Sequence, residues 1–379
     1  MVKVVILGQG YVASIFAIGL ERIKNGEIKP YGIPLKNELP IKFEEIKIVG
    51  SYDVDKSKIE KSIFEVAKNY WPGKIPETLK DIKIKKGVHL KSLRNLPIEA
   101  EGLEDGLSLK EAVERLIEEW KSLKPDVIVN VCTTESFVPF GSKDKLIETI
   151  EKDKREEITA TQVYAYAAAL YAKEVGGAAF VNAIPTLIAN DPAFVELAKE
   201  NNLVIFGDDG ATGATPLTAD ILSHLAQRNR YVKSIAQFNI GGNTDFLALT
   251  DDERNKSKEF TKSSIVKDIL GYETPHFIKP TGFLEPLGDK KFISMHIEYI
   301  SFNEAVDELV INGRINDSPA LAGLIVDLVR LGKMAIQRKE FGTLYPVNAF
   351  YMKNPGPKEI CNLPRILAFE KLKQWIENL

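Results

Sequence analysis

Val2-Lys-Val-Val-Ile-Leu-Gly8-Gln-Gly10-Tyr11-Val12-Ala13-Ser14 is the stretch on which the fold turns. Residues 2–7 form an apolar, β-branched run suited to a buried parallel strand, and a helical pattern follows to about Ile23. Between them, Gly8 makes the tight turn, Gly10 lets the backbone approach a pyrophosphate, and the small Ala13 lets helix and strand pack closely. Tyr11 and Val12 open the helix, whose N-terminus would carry the pyrophosphate. The pattern therefore predicts a dinucleotide fold.

Outward from this turn, the strand at 46–53 ends in Asp53, later than usual because a polar, Pro- and Gly-containing insertion occupies about 25–45. Asp53 either accepts from a ribose hydroxyl, which favours NAD over NADP, or caps a helix beginning near Lys56. Residues 70–107 have no clear period and read as an excursion from the sheet without recognisable chemistry. The α/β rhythm then resumes with a helix over about 109–123 and a strand over 126–131. That strand leads to Cys132-Thr133-Thr134-Glu135, polar groups at a carboxyl end where ligands bind in open α/β sheets.

A helix at about 159–175 and strands at 178–182 and 203–206 follow. The last delivers Gly207-Asp208-Asp209-Gly210-Ala-Thr212-Gly213-Ala-Thr215 ahead of a helix from about Leu217. Its glycines and threonines make a backbone nest suited to a phosphate. Asp208 and Asp209 can face a cofactor amide, a cation or substrate hydroxyls, or simply form a turn. A strand over 236–240 ends in Gly241-Gly242-Asn243-Thr-Asp245, read as a third polar loop at the same sheet edge.

Composition excludes several classes. With 379 residues, 44% of them hydrophobic, the chain can bury a large core and divide into two domains. A net charge of -3 gives no basis for binding nucleic acid or an anionic membrane. Cys132 and Cys361 stand in unlike contexts without CxxC spacing, which argues against a disulfide scaffold and suits a reducing cytoplasm. The four histidines are scattered and give no dyad or zinc site.

Lys258 and Lys262 are four residues apart ahead of an apolar run. On a helix both ammonium groups would share one face, where like charges are mildly destabilising. Such a pair suits a lysine that must give up a proton or hold a dianion, and equally a solvated basic face.

Taken in order, GDDGATGAT (207–215), NIGGNTDF (239–246), SKEFTKSSIV (257–266), GDKKF (288–292), NDSPALAGLIVDLVR (316–330) and FYMKNP (350–355) resemble the myo-inositol phosphate synthase family. Eukaryotic members read closer to GQTK where this chain has Ala214 and Pro216, so the resemblance is to the shorter prokaryotic branch.

That resemblance implies a redox-neutral conversion of glucose 6-phosphate to inositol 3-phosphate. NAD would oxidise C5, C6 would lose a proton and attack the C1 aldehyde, and the ketone would be reduced again. Lys258, Lys262, Lys291 and Lys353 would be the catalytic or phosphate-binding lysines, oriented by Asp289 and Asp317. Lys262 and Lys353 would serve the hydride transfers, and Lys258 and Lys291 the oxyanions and phosphate. Ser263, Ser264, Gly241, Gly242 and Asn243 would hold the phosphate; Thr133 would join the cofactor site. The resemblance also admits a divalent metal or monovalent cation near Asp209 or the phosphate.

The expected architecture is a doubly wound, Rossmann-type α/β domain over 1–245, completed by 318–379. Residues 246–317 would be an inserted α+β catalytic domain through which a homotetramer forms. Alternating runs such as Phe292-Ile-Ser-Met-His-Ile suit a one-sided sheet there. An ordinary NAD-dependent sugar-phosphate or semialdehyde dehydrogenase, or a noncatalytic NAD-binding regulator, would share the first domain.

Overall fold

The β-branched run forms strand β1 (Val2–Leu7), buried at nearly every position, and helix α1 (Tyr11–Lys24) follows the glycine turn. This structure is a computed structural model that describes residues 1–90, 92–251, 253–255, 265–356 and 362–377. The chain continues with β2 (Ile46–Asp53), α2 (Ile63–Ala67), β3 (Ile84–Lys86) and α3 (Leu109–Leu123). Next come β4 (Val127–Asn130), α4 (Lys143–Glu151), α5 (Ala160–Val175), β5 (Ala178–Asn182), α6 (Pro192–Glu200) and β6 (Leu203–Phe206).

These strands make a parallel sheet of order β3-β2-β1-β4-β5-β6, extended by β11 (Gly342–Thr343) beside β6. The order reverses between β1 and β4, which is the switch point of a doubly wound sheet. Successive strand residues feed opposite cores. Val4 and Ile6 pack under α1, whereas Val5 and Leu7 face α3 and α5. Full burial of a side chain such as Ile6 contributes about 1.5–3 kcal/mol. Helices begin where the sequence caps them: Ser108 and Thr159 each accept from the residue three positions on, and Glu111 and Gln162 reach back.

Two expectations need correction. The stretch 70–107 is not wholly outside the sheet, since β3 pairs in parallel with Ser51–Asp53 of β2. A strand of three residues at a sheet edge, two of them lysines, is too short to show a period. The strand over 236–240 does not extend the first sheet either. It belongs to β7 (Tyr231–Gly241), which pairs antiparallel with β9 (Lys290–Ile300) and in parallel with β8 (His276–Phe283).

Strand β10 (Val306–Asn316) closes this second sheet in the order β10-β9-β7-β8. Burial alternates along β7, as it does in a sheet covered on one face. Helix α7 (Ala214–Ala226) supplies that cover with residues 265–266, so the second unit starts near 214 instead of 246. α8 (Thr244–Ala248) follows β7. After β10 the chain returns through α9 (Asp317–Arg338), which packs beside α1 on the first sheet, and ends in α10 (Tyr345–Tyr351) and α11 (Arg365–Glu377).

Candidate functional site

The carboxyl ends of β1 and β4 open onto a cavity of about 450 Å³ bounded by both sheets. Gly8, with φ +90°, runs so close to the chain leaving β4 that an added Cβ would lie 2.9 Å from the Cys132 backbone. At Gly10 nothing lies within 4 Å of that position, and no side chain caps the start of α1. An uncapped fourteen-residue helix facing a glycine-cleared space fits a pyrophosphate. Gly8, Gly10, Tyr11, Val12, Asp53 and Thr133 all line this end of the cavity. Ala13 does not; it is buried in the core beneath α1, where its small size serves helix–sheet packing.

The second unit forms the opposite wall. Gly242, Asn243, Asp289, Lys291 and Asp317 reach the cavity, and Asp209 and Thr212 from the loop after β6 close it together with Lys353, which follows the helix at Tyr345–Tyr351. Lys291 is nearly buried, its Nζ 2.9 Å from Asp317 Oδ1 and 5.7 Å from the centroid of the Phe246 ring. A side chain at Gly213 would occupy the ammonium's place, because its Cβ would lie 2.5 Å from Lys291 Nζ. Lys353 Nζ lies 2.8 Å from Asp209 Oδ1, with Lys353 N donating to the Asp209 carbonyl at 2.7 Å.

The expected pairing of carboxylates with lysines is thus only partly met. Asp317 holds Lys291, but the carboxylate that holds Lys353 is Asp209. Asp289 pairs with no lysine among the described residues. It accepts from Ser318 N at 2.9 Å, Ser318 Oγ at 2.6 Å and Asn243 Nδ2 at 3.1 Å, fastening the start of α9 to the β7–α8 turn. Burial pushes its carboxyl above the usual range, with nearby Asp317 adding to the effect. Lys258, Lys262, Ser263 and Ser264 lie outside the described residues.

Two further placements differ from expectation. Gly241 does not line the cavity; a Cβ there would strike the Phe246 ring. Asp208 is fully buried away from it and accepts from Asn182 Nδ2 at 2.8 Å, Ile188 N and Ala189 N at 3.1 Å, and Asn190 Nδ2 at 3.0 Å. Burial raises its pKa to about 6, against the pull of these donors. Asp208→Asn would point an amide N–H₂ at groups that also donate. Urea unfolding at fixed protein concentration is expected to show a loss of about 1–3 kcal/mol. An unchanged stability would return Asp208 to the list of ligand-facing residues.

Sequence reasoning missed Lys58 and Tyr70, which line the cavity from the stretch after β2, and Asp245, whose Oδ1 accepts from Thr134 Oγ1 at 2.8 Å. Asp245 sat within a loop already singled out; Lys58 and Tyr70 carry no motif. Among the described residues, no cluster of three or more His, Cys, Asp or Glu is arranged to hold a metal.

Known proteins resemble this chain in sequence and in fold. A sequence profile described as myo-inositol-1-phosphate synthase matches residues 213–318, the second unit. Inositol-3-phosphate synthase of Mycobacterium tuberculosis is 29% identical, covering 99% of this chain and 95% of the relative. The inositol-3-phosphate synthase structure from Caenorhabditis elegans shares the fold at 18% identity, with TM-score 0.82 over 99% of this chain and 85% of that one. The crystal structure of a myo-inositol-1-phosphate synthase-related protein from Thermotoga maritima MSB8 is 73% identical, with TM-score 0.95 over 99% of this chain and 98% of that one. On this identity over nearly the whole of both chains, together with the profile match, the chain belongs to the myo-inositol-1-phosphate synthase family of enzymes.

Proposed function

We propose that the enzyme isomerises D-glucose 6-phosphate to 1D-myo-inositol 3-phosphate with no net consumption of NAD. One observation carries this reading: a dinucleotide-type glycine turn and two carboxylate-held lysines, Lys291 and Lys353, face a single cavity. Bound NAD would supply a hydride acceptor at substrate C5 and then the donor that restores it. Gly8, Gly10 and the start of α1 would hold its pyrophosphate.

Lys262 would take the proton from the C5 oxygen and give it back on re-reduction, while the Lys353 ammonium, held by Asp209, donates to that oxygen. Lys291, beside Asp317, would stabilise negative charge on substrate oxygen as the C6 proton passes to the substrate's own phosphate and the ring closes. Asn243 and the neighbouring backbone at Gly242 would hold the phosphate. Lys258, Lys262, Ser263 and Ser264 keep the parts in this scheme that the family resemblance gives them.

The test gives the enzyme glucose 6-phosphate with trace NAD. Many equivalents of product per NAD, without growth of the reduced-nicotinamide absorbance, are expected. Stoichiometric NADH would point instead to a dehydrogenase, and binding without product to a regulator.

A homotetramer assembled through the second sheet is part of the same reading. Its uncovered face carries the paired Phe238 and Phe277 rings, 5.7 Å apart, and Val310 on the edge strand, all exposed. Apolar side chains clustered on a sheet face favour coverage by a partner. Light scattering that gave the mass of one chain would overturn it. No helix among the described residues is long and apolar enough to cross a membrane.

A further inference from the structure

We propose that Lys58 reads the adenosine ribose of the bound dinucleotide, donating to its 2′-hydroxyl, while Asp53 builds the loop that presents it. This rests on the dinucleotide reading of the cavity. The argument begins with Asp53, the carboxylate at the end of β2 that would ordinarily accept from the ribose. Its Oδ1 accepts from Val54 N at 2.7 Å and Asp55 N at 2.8 Å; its Oδ2 accepts from Gln9 N at 2.7 Å and faces Lys58 Nζ at 3.3 Å. A carboxylate offers about four acceptor directions, so those of Asp53 are filled. Three of the donors are backbone amides that shape the glycine turn and the chain leaving β2.

Lys58 is differently placed. Its side chain is 14% exposed, it lines the cavity beside Asp53, and its ammonium stands between Asp53 Oδ2 and Asp55 Oδ2, the latter at 3.5 Å. Asp55 is itself held locally, its Oδ1 accepting from Ser57 N at 2.9 Å and Ser57 Oγ at 2.6 Å. An ammonium has three donors, and beyond these carboxylates no described residue accepts from Lys58. Burial opposes its charge, but Asp53, Tyr70 and Asp55 outweigh burial and hold it protonated. Val54, Leu93 and Ile98 also line the cavity and give it apolar surface suited to a base.

Two carboxylates and one ammonium leave a local charge of one negative unit, which disfavours a 2′-phosphate. Asp55, whose bonds are local, is the removable part of that charge. Asp53 is not, because its loss would release three backbone amides.

The purified full-length chain would be titrated calorimetrically with NAD, with NAD lacking the adenosine 2′-hydroxyl, and with NADP. The wild type is expected to bind the deoxy analogue about tenfold more weakly than NAD, the worth of one charge-assisted hydrogen bond. Lys58→Met is expected to weaken NAD by about the same factor and to lose the preference over the analogue. Asp55→Asn is expected to narrow the gap between NAD and NADP. Wild-type protein that binds NAD and the analogue equally overturns the proposal and leaves the dinucleotide reading standing. So does a Lys58→Met variant that keeps the wild-type preference. Failure of the wild type to bind NAD would remove the dinucleotide reading and this inference together.

Discussion

Lys291→Met is expected to lower kcat by about 10³-fold while changing NAD affinity by less than threefold or so. The side chain is nearly buried, and its ammonium is fixed by Asp317 at 2.9 Å, by the Phe246 ring face, and by the space that Gly213 leaves open. A charge held this firmly needs little reorganisation when a substrate oxygen becomes negative, and removal of one such preorganised donor costs about 10²–10³ in rate. Methionine keeps the apolar stem packed but leaves Asp317 without its ammonium, which places a repulsive charge near the developing oxyanion and adds to the loss. NAD affinity is insulated because the glycine turn belongs to the first sheet and Lys291 to the second. Steady-state rates with glucose 6-phosphate and an independent NAD titration separate the two effects. A kcat within tenfold of the parent would remove Lys291 from the chemistry. A parallel loss of NAD affinity would make it a residue that holds the two units together.

How far the site could be read in advance follows from the range of the forces that make it. Gly8 and Gly10 were legible because turn, helix start and strand all lie within one short stretch, each with its own local signature. Asp208 and Asp209 are adjacent and chemically alike, yet one is buried in a net of donors from 182–190 and the other faces the cavity. The division is made by a backbone with φ +63° at Asp209 and by the antiparallel passage of residues 351–354 alongside. Asn354 N donates to the Asp208 carbonyl at 3.0 Å and Ala211 N to the Tyr351 carbonyl at 2.8 Å, so the decision is taken by a segment 140 or more residues away. The same limit explains β7. A strand was legible over 236–240, but the identity of its partners was non-local, and the Gly241–Asn243 turn was assigned to the wrong sheet. Lys58 shows the complementary failure. An isolated lysine in a lysine-rich chain acquires meaning only when Asp53, read as a ribose partner or a helix cap, is found to have its oxygens occupied.

Asp327→Ala is expected to destabilise the protein by about 3–5 kcal/mol, the cost of leaving a buried charge without its partner. Asp327 and Arg330, both almost fully buried, form an ion pair on α9. Asp327 Oδ2 also accepts from Leu35 N and Tyr351 Oη, both at 2.8 Å, while Arg330 donates to the carbonyls of Leu35 at 2.7 Å and Ile41 at 3.3 Å. The pair therefore stitches the 25–45 insertion, which looked like a mere delay before Asp53, to the helix that returns the chain to the first sheet. Close packing at the same junction leaves no room for slack: a Cβ on Gly323 would lie 2.3 Å from the Gly32 carbonyl oxygen. With Asp327 gone, the guanidinium keeps two carbonyls but no counter-charge, and Leu35 N and the Tyr351 hydroxyl lose their acceptor. Burial already pushes the Asp327 carboxyl upward, against the pull of Arg330. The pair is thus costly to hold and costlier to break. Replacing both partners, Asp327→Leu with Arg330→Met, is expected to recover much of the loss, since apolar groups of similar size carry no charge to desolvate. Urea unfolding of the two variants at one fixed protein concentration tests this. A single variant within about 1 kcal/mol of the parent would show the arginine finding water, and the insertion would then be held by packing alone.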